Sequence, residues 1–359
     1  MNKQKKQKTM KLSLILSLTL SIAIIIIISY FTFNEETIES LKGIKFRYEF
    51  FITAIAFNFI YWMMWGIRLR VLSNSIDKKV QIGVWESTKI IIANLFLANI
   101  TPSMAGGEPV RIYLLNKNGL SIGDSTAAVL GERLLDAIFL LLCVPFAFWI
   151  LRNSIQTGLL KNALTLAIIA FIVGVILFVY AIKSPERVKS ILIWFSNKLR
   201  RFSKKKESKH SVVKKISSEV DNFHNSMTFF VKDGKIAFLK AFILTGVFWA
   251  VGWVIPILIL MGLGLELNEI PIIESCAAQV LLIIIVMIPT TPGSAGVTEG
   301  GIYGLYGVFI PGNITTVFMI VFRILTYYVG LIAGAIFQYR IFKSVASFSL
   351  DTLKKEEKT

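Results

Sequence analysis

Apolar residues in this chain come in long unbroken blocks, not at the alternating spacing of half-buried helices or strands. Six blocks cover residues 12–33, 50–69, 125–150, 159–182, 236–261 and 315–337. The first, 22 residues long, makes a helix of roughly 33 Å at about 1.5 Å per residue, which is enough to cross the hydrocarbon of a bilayer. The pattern therefore predicts an all-α integral membrane protein with about six full transmembrane helices. No small-x-small cleavage pattern follows residues 12–33, so that block is expected to be an uncleaved anchor rather than a signal peptide.

Two further blocks are short and broken. Residues 84–100 contain Glu86, Lys89, Asn94 and Asn99, stop at Thr101-Pro102, and resume after Gly106-Gly107 as residues 109–115. Residues 272–288 carry Glu274, break at Pro289-Thr290-Thr291-Pro292, and lead into a glycine-rich stretch from Gly293 through Gly296 to Gly307. Interrupted helices at membrane depth are tolerated only where the freed backbone is buried in protein or lines a cavity. Each pair is therefore expected to form a re-entrant helical hairpin. Parity agrees: if Lys78 and Lys183 lie on one side of the membrane, an even number of crossings separates them.

Charge orients this arrangement. Of the net +17, residues 183–235 hold 14 Lys/Arg against 5 Asp/Glu, and residues 2–11 hold five lysines and no acid. Basic blocks beside apolar spans stay on the cytoplasmic side and meet anionic lipid there, so both termini and the basic loop are expected on the cytoplasmic side of the cell membrane. A basic surface for nucleic acid is not expected. Within the loop, Val188, Ile191, Leu192, Phe195, Leu199 and Phe202 form one helical stripe, and Val213, Ile216, Val220, Phe223, Met227 and Phe230 a second. Both are expected to lie against the inner leaflet and each other, with a docked partner protein as the alternative. Overall composition, 55% hydrophobic and 17% charged, fits repeated spans. Cys143, Cys276, His210 and His224 lack ligand spacing, so no metal, no cofactor and no Cys/His nucleophile is expected, and the histidines are expected to be solvated.

The two breaks resemble each other. TPSMAGGEPVRIYLL starts at Thr101 and TPGSAGVTEGGIYGL at Thr291, an offset of 190 (291 − 101). Arg133 and Arg323 stand at the same offset inside the following spans, while Tyr61-Trp62 and Phe248-Trp249 correspond at 187. Residues 50–182 then form a first repeat with an extra span, and residues 236–341 a second. Residues 1–49 supply a tail, anchor and outer loop, and residues 342–359 a charged tail. The first repeat starts outside and the second inside, so the repeats are expected to be inverted, a transporter signature with the site between them.

Charges inside the spans mark the candidate site. Arg133 and Asp136 lie one turn apart with Glu132 adjacent; because an isolated charge at the bilayer centre costs about 2.5–3.5 kcal/mol or more, they are expected either to form an internal Arg133–Asp136 salt bridge that locks helices together or to contact a lipid headgroup, with Arg133 and Arg323 flanking one phosphate. Arg323 has no acid in its own span; Glu299 or a lipid phosphate are its candidate partners. Glu108 and Arg111 stand at i, i+3 beside the first break. The half-helix starts near Gly106 and Gly296 offer N–H groups and a dipole that favour anions.

Three of these motifs in order, residues 102–111 (PSMAGGEPVR), 132–136 (ERLLD) and 289–299 (PTTPGSAGVTE), resemble the lysylphosphatidylglycerol synthetase transmembrane-region family, the flippase-like domain at the front of bacterial multiple peptide resistance factors. The resemblance runs from about Phe50 to Arg340; Ser294 stands where a second consecutive glycine is usual. It implies movement of lipid or lipid-linked headgroups between leaflets. It does not imply lysyl transfer, which belongs to a separate soluble domain. Some archaeal relatives are linked to polyprenyl-phosphate glycosylation, so the lipid implied is anionic and includes polyprenyl phosphates. Two other readings remain: a membrane enzyme acting on a lipid phosphate through Glu108, Asp136 and Glu299, and a non-catalytic scaffold.

Overall fold

Eleven helices account for the described residues, which in this computed structural model are 45–101, 106–153, 158–200, 209–287, 291 and 293–338. They are α1 (Tyr48–Ile76), α2 (Val84–Asn99), α3 (Gly107–Lys117), α4 (Ile122–Leu151), α5 (Gly158–Lys183), α6 (Pro185–Arg200), α7 (Lys209–Lys232), α8 (Lys235–Gly262), α9 (Ile272–Val286), α10 (Val297–Tyr306) and α11 (Gly312–Phe322). The last runs on through a π-helical turn, Arg323–Tyr328, to Gln338. No strand occurs among the described residues. The expected anchor at 12–33, residues 34–44 of its outer loop and the charged tail lie outside them, as do Pro102 and Pro292.

Five helices are long and apolar enough to cross a membrane: α1, α4, the 164–183 part of α5, α8 and the 314–338 part of α11. They coincide with five of the six long blocks, and the protein is an all-helical integral membrane protein. The blocks interrupted by proline and glycine become the short helices α2, α3, α9 and α10, and α3 packs on α2 as α10 packs on α9. Two large apolar cores result, with a small third one around Ile100, Tyr327 and Leu331. One gathers α1, α2, α3, the first half of α4 and α7; the other gathers the second half of α4 with α5, α8, α9, α10 and α11.

The two halves interlock. α1 lies along α8, and Tyr61 stacks on Phe248 with ring centroids 4.1 Å apart, joining the two positions that the sequence repeat aligns. α9 packs on α4, while α2 packs on the last part of α11. There Gly334 lets backbone meet backbone: a Cβ would stand 3.1 Å from the Ile92 carbonyl oxygen and closer still to the Phe96 nitrogen. Small residues permit such close crossings. Gly334→Ala is expected to cost about 1–3 kcal/mol, as overpacking of a tight contact does. Thermal unfolding of the purified variant checks this, and an unchanged midpoint counts against the close crossing.

The basic loop departs from expectation. α7 does not lie on the leaflet alone: Val220, Met227 and Phe230 are buried, and Glu219 and Ser226 bond to the start of α4 at Gly123 N (2.7 Å) and Asp124. Nor is His224 simply solvated, since its Nδ1 lies 3.0 Å from the Ile182 carbonyl. α6 keeps Ile191, Leu192 and Trp194 exposed, as a helix against lipid would. Lys189 joins it to α7 by a hydrogen bond to Asp221 (2.7 Å) and bonds Glu186 of its own helix (2.8 Å), and the two raise the ammonium pKa above its ordinary value.

Candidate functional site

Arg68 of α1 is fully buried and stands at the centre of the first half's charges. Its Nη1 and Nη2 donate to the two oxygens of Asp136 at 2.6 and 3.2 Å, and its Nε donates to Glu132 Oε1 at 3.1 Å. Nη1 also reaches Thr245 Oγ1 on α8 at 3.2 Å, tying the cluster to the second half. Glu132 and Asp136 are four residues apart on α4, so one helix face presents both carboxylates to one guanidinium. The planar fork of arginine suits this, and charge-assisted bonds are the stronger kind. The second oxygen of Glu132 accepts from Nη1 of Arg111, also fully buried, whose guanidinium lies 5.1 Å from the Trp65 ring centroid. Nε and Nη2 of Arg111 have no hydrogen-bond partner among the described residues.

Arg133 points elsewhere. One position past Glu132 turns the side chain by about 100°. Its Nε donates to Glu108 Oε1 at 2.7 Å, in the first turn of α3, while Nη1 stays 3.7 Å from Asp136 Oδ2. The expected Arg133–Asp136 pair is thus a weak contact, because Arg68 occupies Asp136 from both sides of the carboxylate. Likewise Glu108 and Arg111 do not pair with each other; they turn to Arg133 and Glu132. Three arginines and three carboxylates balance in this cluster. The pair Arg133–Glu108 is its open part, with side chains 36% and 29% exposed against 0% for Arg68, Arg111 and Glu132.

The second half repeats the motif in sealed form. Arg323 of α11 donates from Nε to Glu299 Oε1 at 2.8 Å, in the first turn of α10, with side chains 3% and 0% exposed. The other oxygen of Glu299 accepts from the Gly296 N–H at 2.6 Å, capping α10. In each half, then, an arginine in the span after the break reaches a glutamate at the start of the half-helix. Glu299 proves to be the partner that the sequence left open for Arg323. The Arg323 guanidinium also lies 4.2 Å from the Tyr327 ring centroid.

The break residues close their own loops and meet each other. Thr101 Oγ1 donates to the Leu97 carbonyl at 2.7 Å and accepts from Gly106 N at 2.8 Å; Thr291 Oγ1 donates to the Ala295 carbonyl at 2.6 Å. Gly107 begins α3 against Asn94 and Ala98 of α2. Gly293 (φ 61°) and Gly296 (φ 86°) hold left-handed backbone, and so does Ser294 (φ 50°), the residue standing in place of a glycine. The Gly293 N–H donates to the Thr101 carbonyl at 3.3 Å, so backbone from the two breaks is in contact. Tyr327 Oη donates to the Asn99 carbonyl at 3.0 Å beside them.

The model of the lysylphosphatidylglycerol synthase TM region matches residues 14–334, nearly the whole of this geometry. The chain belongs to that family. Its relatives include a UPF0104 membrane protein of Archaeoglobus fulgidus, 32% identical over 298 residues, spanning 82% of this chain and 87% of that protein. Another, from Methanothermobacter thermautotrophicus, is 27% identical over 299 residues, 79% of this chain and 82% of the relative. No solved structure matches. Within the family match fall both arginine–glutamate pairs and both breaks.

Sequence reasoning missed Arg68. It sits in Gly66-Ile67-Arg68-Leu69-Arg70 at the charged end of a span, where it reads as one more interfacial cation. The available signal was arithmetic: Glu132 and Asp136 on one helix face exceed what the single nearby Arg133 can neutralise.

Proposed function

We propose that this protein takes the phosphate-bearing headgroup of an anionic membrane lipid, polyprenyl phosphates included, beside Arg133 and passes it between leaflets chemically unchanged. The observation that carries this is the open Arg133–Glu108 pair on an otherwise sealed, charge-balanced cluster. A phosphate has the same claim on Arg133 as a carboxylate, and the first turn of α3 adds a favourable dipole. Glu108 occupies Arg133 between turnovers and swings away when the headgroup arrives. The lipid chains stay in the bilayer throughout. Packed short helices α2–α3 and α9–α10, read as two oppositely inserted hairpins, give the alternating access such movement needs. On charge, both termini and the loop joining the halves face the cytoplasm of a cell membrane.

The test reconstitutes the purified chain in vesicles holding head-labelled phosphatidylglycerol or a labelled polyprenyl phosphate in one leaflet. Label is expected to reach the other leaflet with the lipid's mass unchanged. A new product mass would instead favour the enzyme reading, and no movement of either lipid removes the transport reading and leaves the scaffold.

A further inference from the structure

At the end of the bundle where α1 finishes and α8 begins, a cavity of about 460 Å³ opens, lined by Arg70, Asn74, Lys78, Asp233 and Lys240 among others. Three cations face one carboxylate there. None of the three forms an ion pair among the described residues, unlike Arg68, Arg111, Arg133 and Arg323, each of which holds a carboxylate. Arg70 is fixed by backbone instead: its Nε donates to the Ile82 carbonyl at 3.0 Å. Asn74 secures the same residue from both sides, donating to the Ile82 carbonyl at 3.1 Å and accepting from the Ile82 N–H at 2.9 Å. The wall of the cavity is therefore held in place, and the arginine's terminal nitrogens remain to donate.

The volume falls in the range of small-ligand sites, about 300–1,000 Å³. Its net charge selects an anion. What lies beside it selects the kind of anion. Ile236 lines the cavity, and Ile236, Leu239, Ile243 and Val247 run up α8 at helical spacing with 71, 60, 60 and 43% exposure. An apolar stripe starting at a basic pocket fits a molecule with a charged head and a hydrocarbon chain. Arg70 is two positions beyond Arg68, about 200° around α1, so this cavity and the Arg133 cluster open from different faces of the bundle.

We propose that the cavity is a second lipid site, which holds the phosphate of an anionic lipid between Arg70, Lys78 and Lys240 while the chain lies along Ile236, Leu239, Ile243 and Val247. It does not rest on the translocation reading: a lipid held here serves equally as a waiting substrate or as a fixed structural lipid.

The test places a photo-crosslinking amino acid at Leu239 of the full chain in bilayers of phosphatidylcholine with a minor share of phosphatidylglycerol, and identifies the captured lipid by mass. Phosphatidylglycerol is expected to be enriched about tenfold over its share, the effect of one to two interfacial cations. Arg70→Gln with Lys240→Glu should return the ratio to that of the bulk. Should the double variant fold poorly, Lys240→Glu alone, at an exposed position with no ion pair among the described residues, should still lower the enrichment. Excess inorganic phosphate added before irradiation should not lower the enrichment, and Arg133→Ala should leave the capture unchanged even where it stops transport. Capture that follows bulk composition, enrichment that survives the charge changes, or enrichment erased by free phosphate each overturns the proposal.

Discussion

Arg68→Ala is expected to cost about 3–5 kcal/mol of stability, because it leaves two buried carboxylates facing each other without their shared cation. Glu132 would keep Arg111, but Asp136 would keep Arg133 alone, at 3.7 Å. The cost is not confined to α1 and α4, since the bond from Arg68 to Thr245 joins the two halves of the protein. Arg68→Lys keeps the charge but not the fork, so it should recover only part of the loss. Thermal unfolding and yield of the detergent-purified variants measure this. If Arg68→Ala unfolds at the wild-type temperature, the cluster does not hold the halves together.

The second large effect separates two arginines that the sequence repeat treats as equivalent. Arg133→Ala is expected to lower lipid movement by at least about tenfold while changing stability by about 1 kcal/mol or less, as a half-exposed ion pair does. Arg323→Ala should behave the other way. It strands Glu299, which is fully buried and also caps α10, so a loss of about 3–5 kcal/mol is expected. Adding Glu299→Gln should restore part of that stability, because an amide removes the stranded charge and still accepts from Gly296. Measuring transport and unfolding on the same preparations decides the matter. Wild-type transport by Arg133→Ala would end its role as the headgroup contact, and a well-folded but inactive Arg323→Ala would return that role to Arg323.

The sequence carried the helices better than it carried their partners. Five long spans were legible because bilayer length makes a simple demand on an apolar run. Both breaks were legible because threonine-proline and glycine punctuate a helix in any environment. Partner choice was not, since it depends on which helix faces are turned together. Arg133 and Asp136 satisfy the spacing for an ion pair, yet Arg68, 68 residues earlier than Asp136, wins the carboxylate by approaching with two nitrogens. Arg323 has no acid in its own span, so the sequence leaves its partner open between Glu299 and a lipid phosphate; only the fold brings Glu299 to 2.8 Å. The stripe on α7 failed to say what would cover it. An amphipathic face of that composition suits a bilayer or a protein equally, and contact with α4 decided for protein. The difference in exposure between the two arginine–glutamate pairs has no trace in the sequence at all.

The π-helical turn stores slack in the middle of the last span. Its six residues hold a surplus that an ordinary helix of the same path would not contain, and such bulges often sit at functional sites. Two asparagine amides grip carbonyls inside it: Asn58 Nδ2 donates to Leu325 at 2.9 Å, and Asn99 Nδ2 to Tyr327 at 3.3 Å. Taking up one residue's worth of slack would twist everything beyond the bulge by about 100° and advance it by about 1.5 Å. The last helix is thus pinned at one end by a buried ion pair and stapled through its slack by two asparagines.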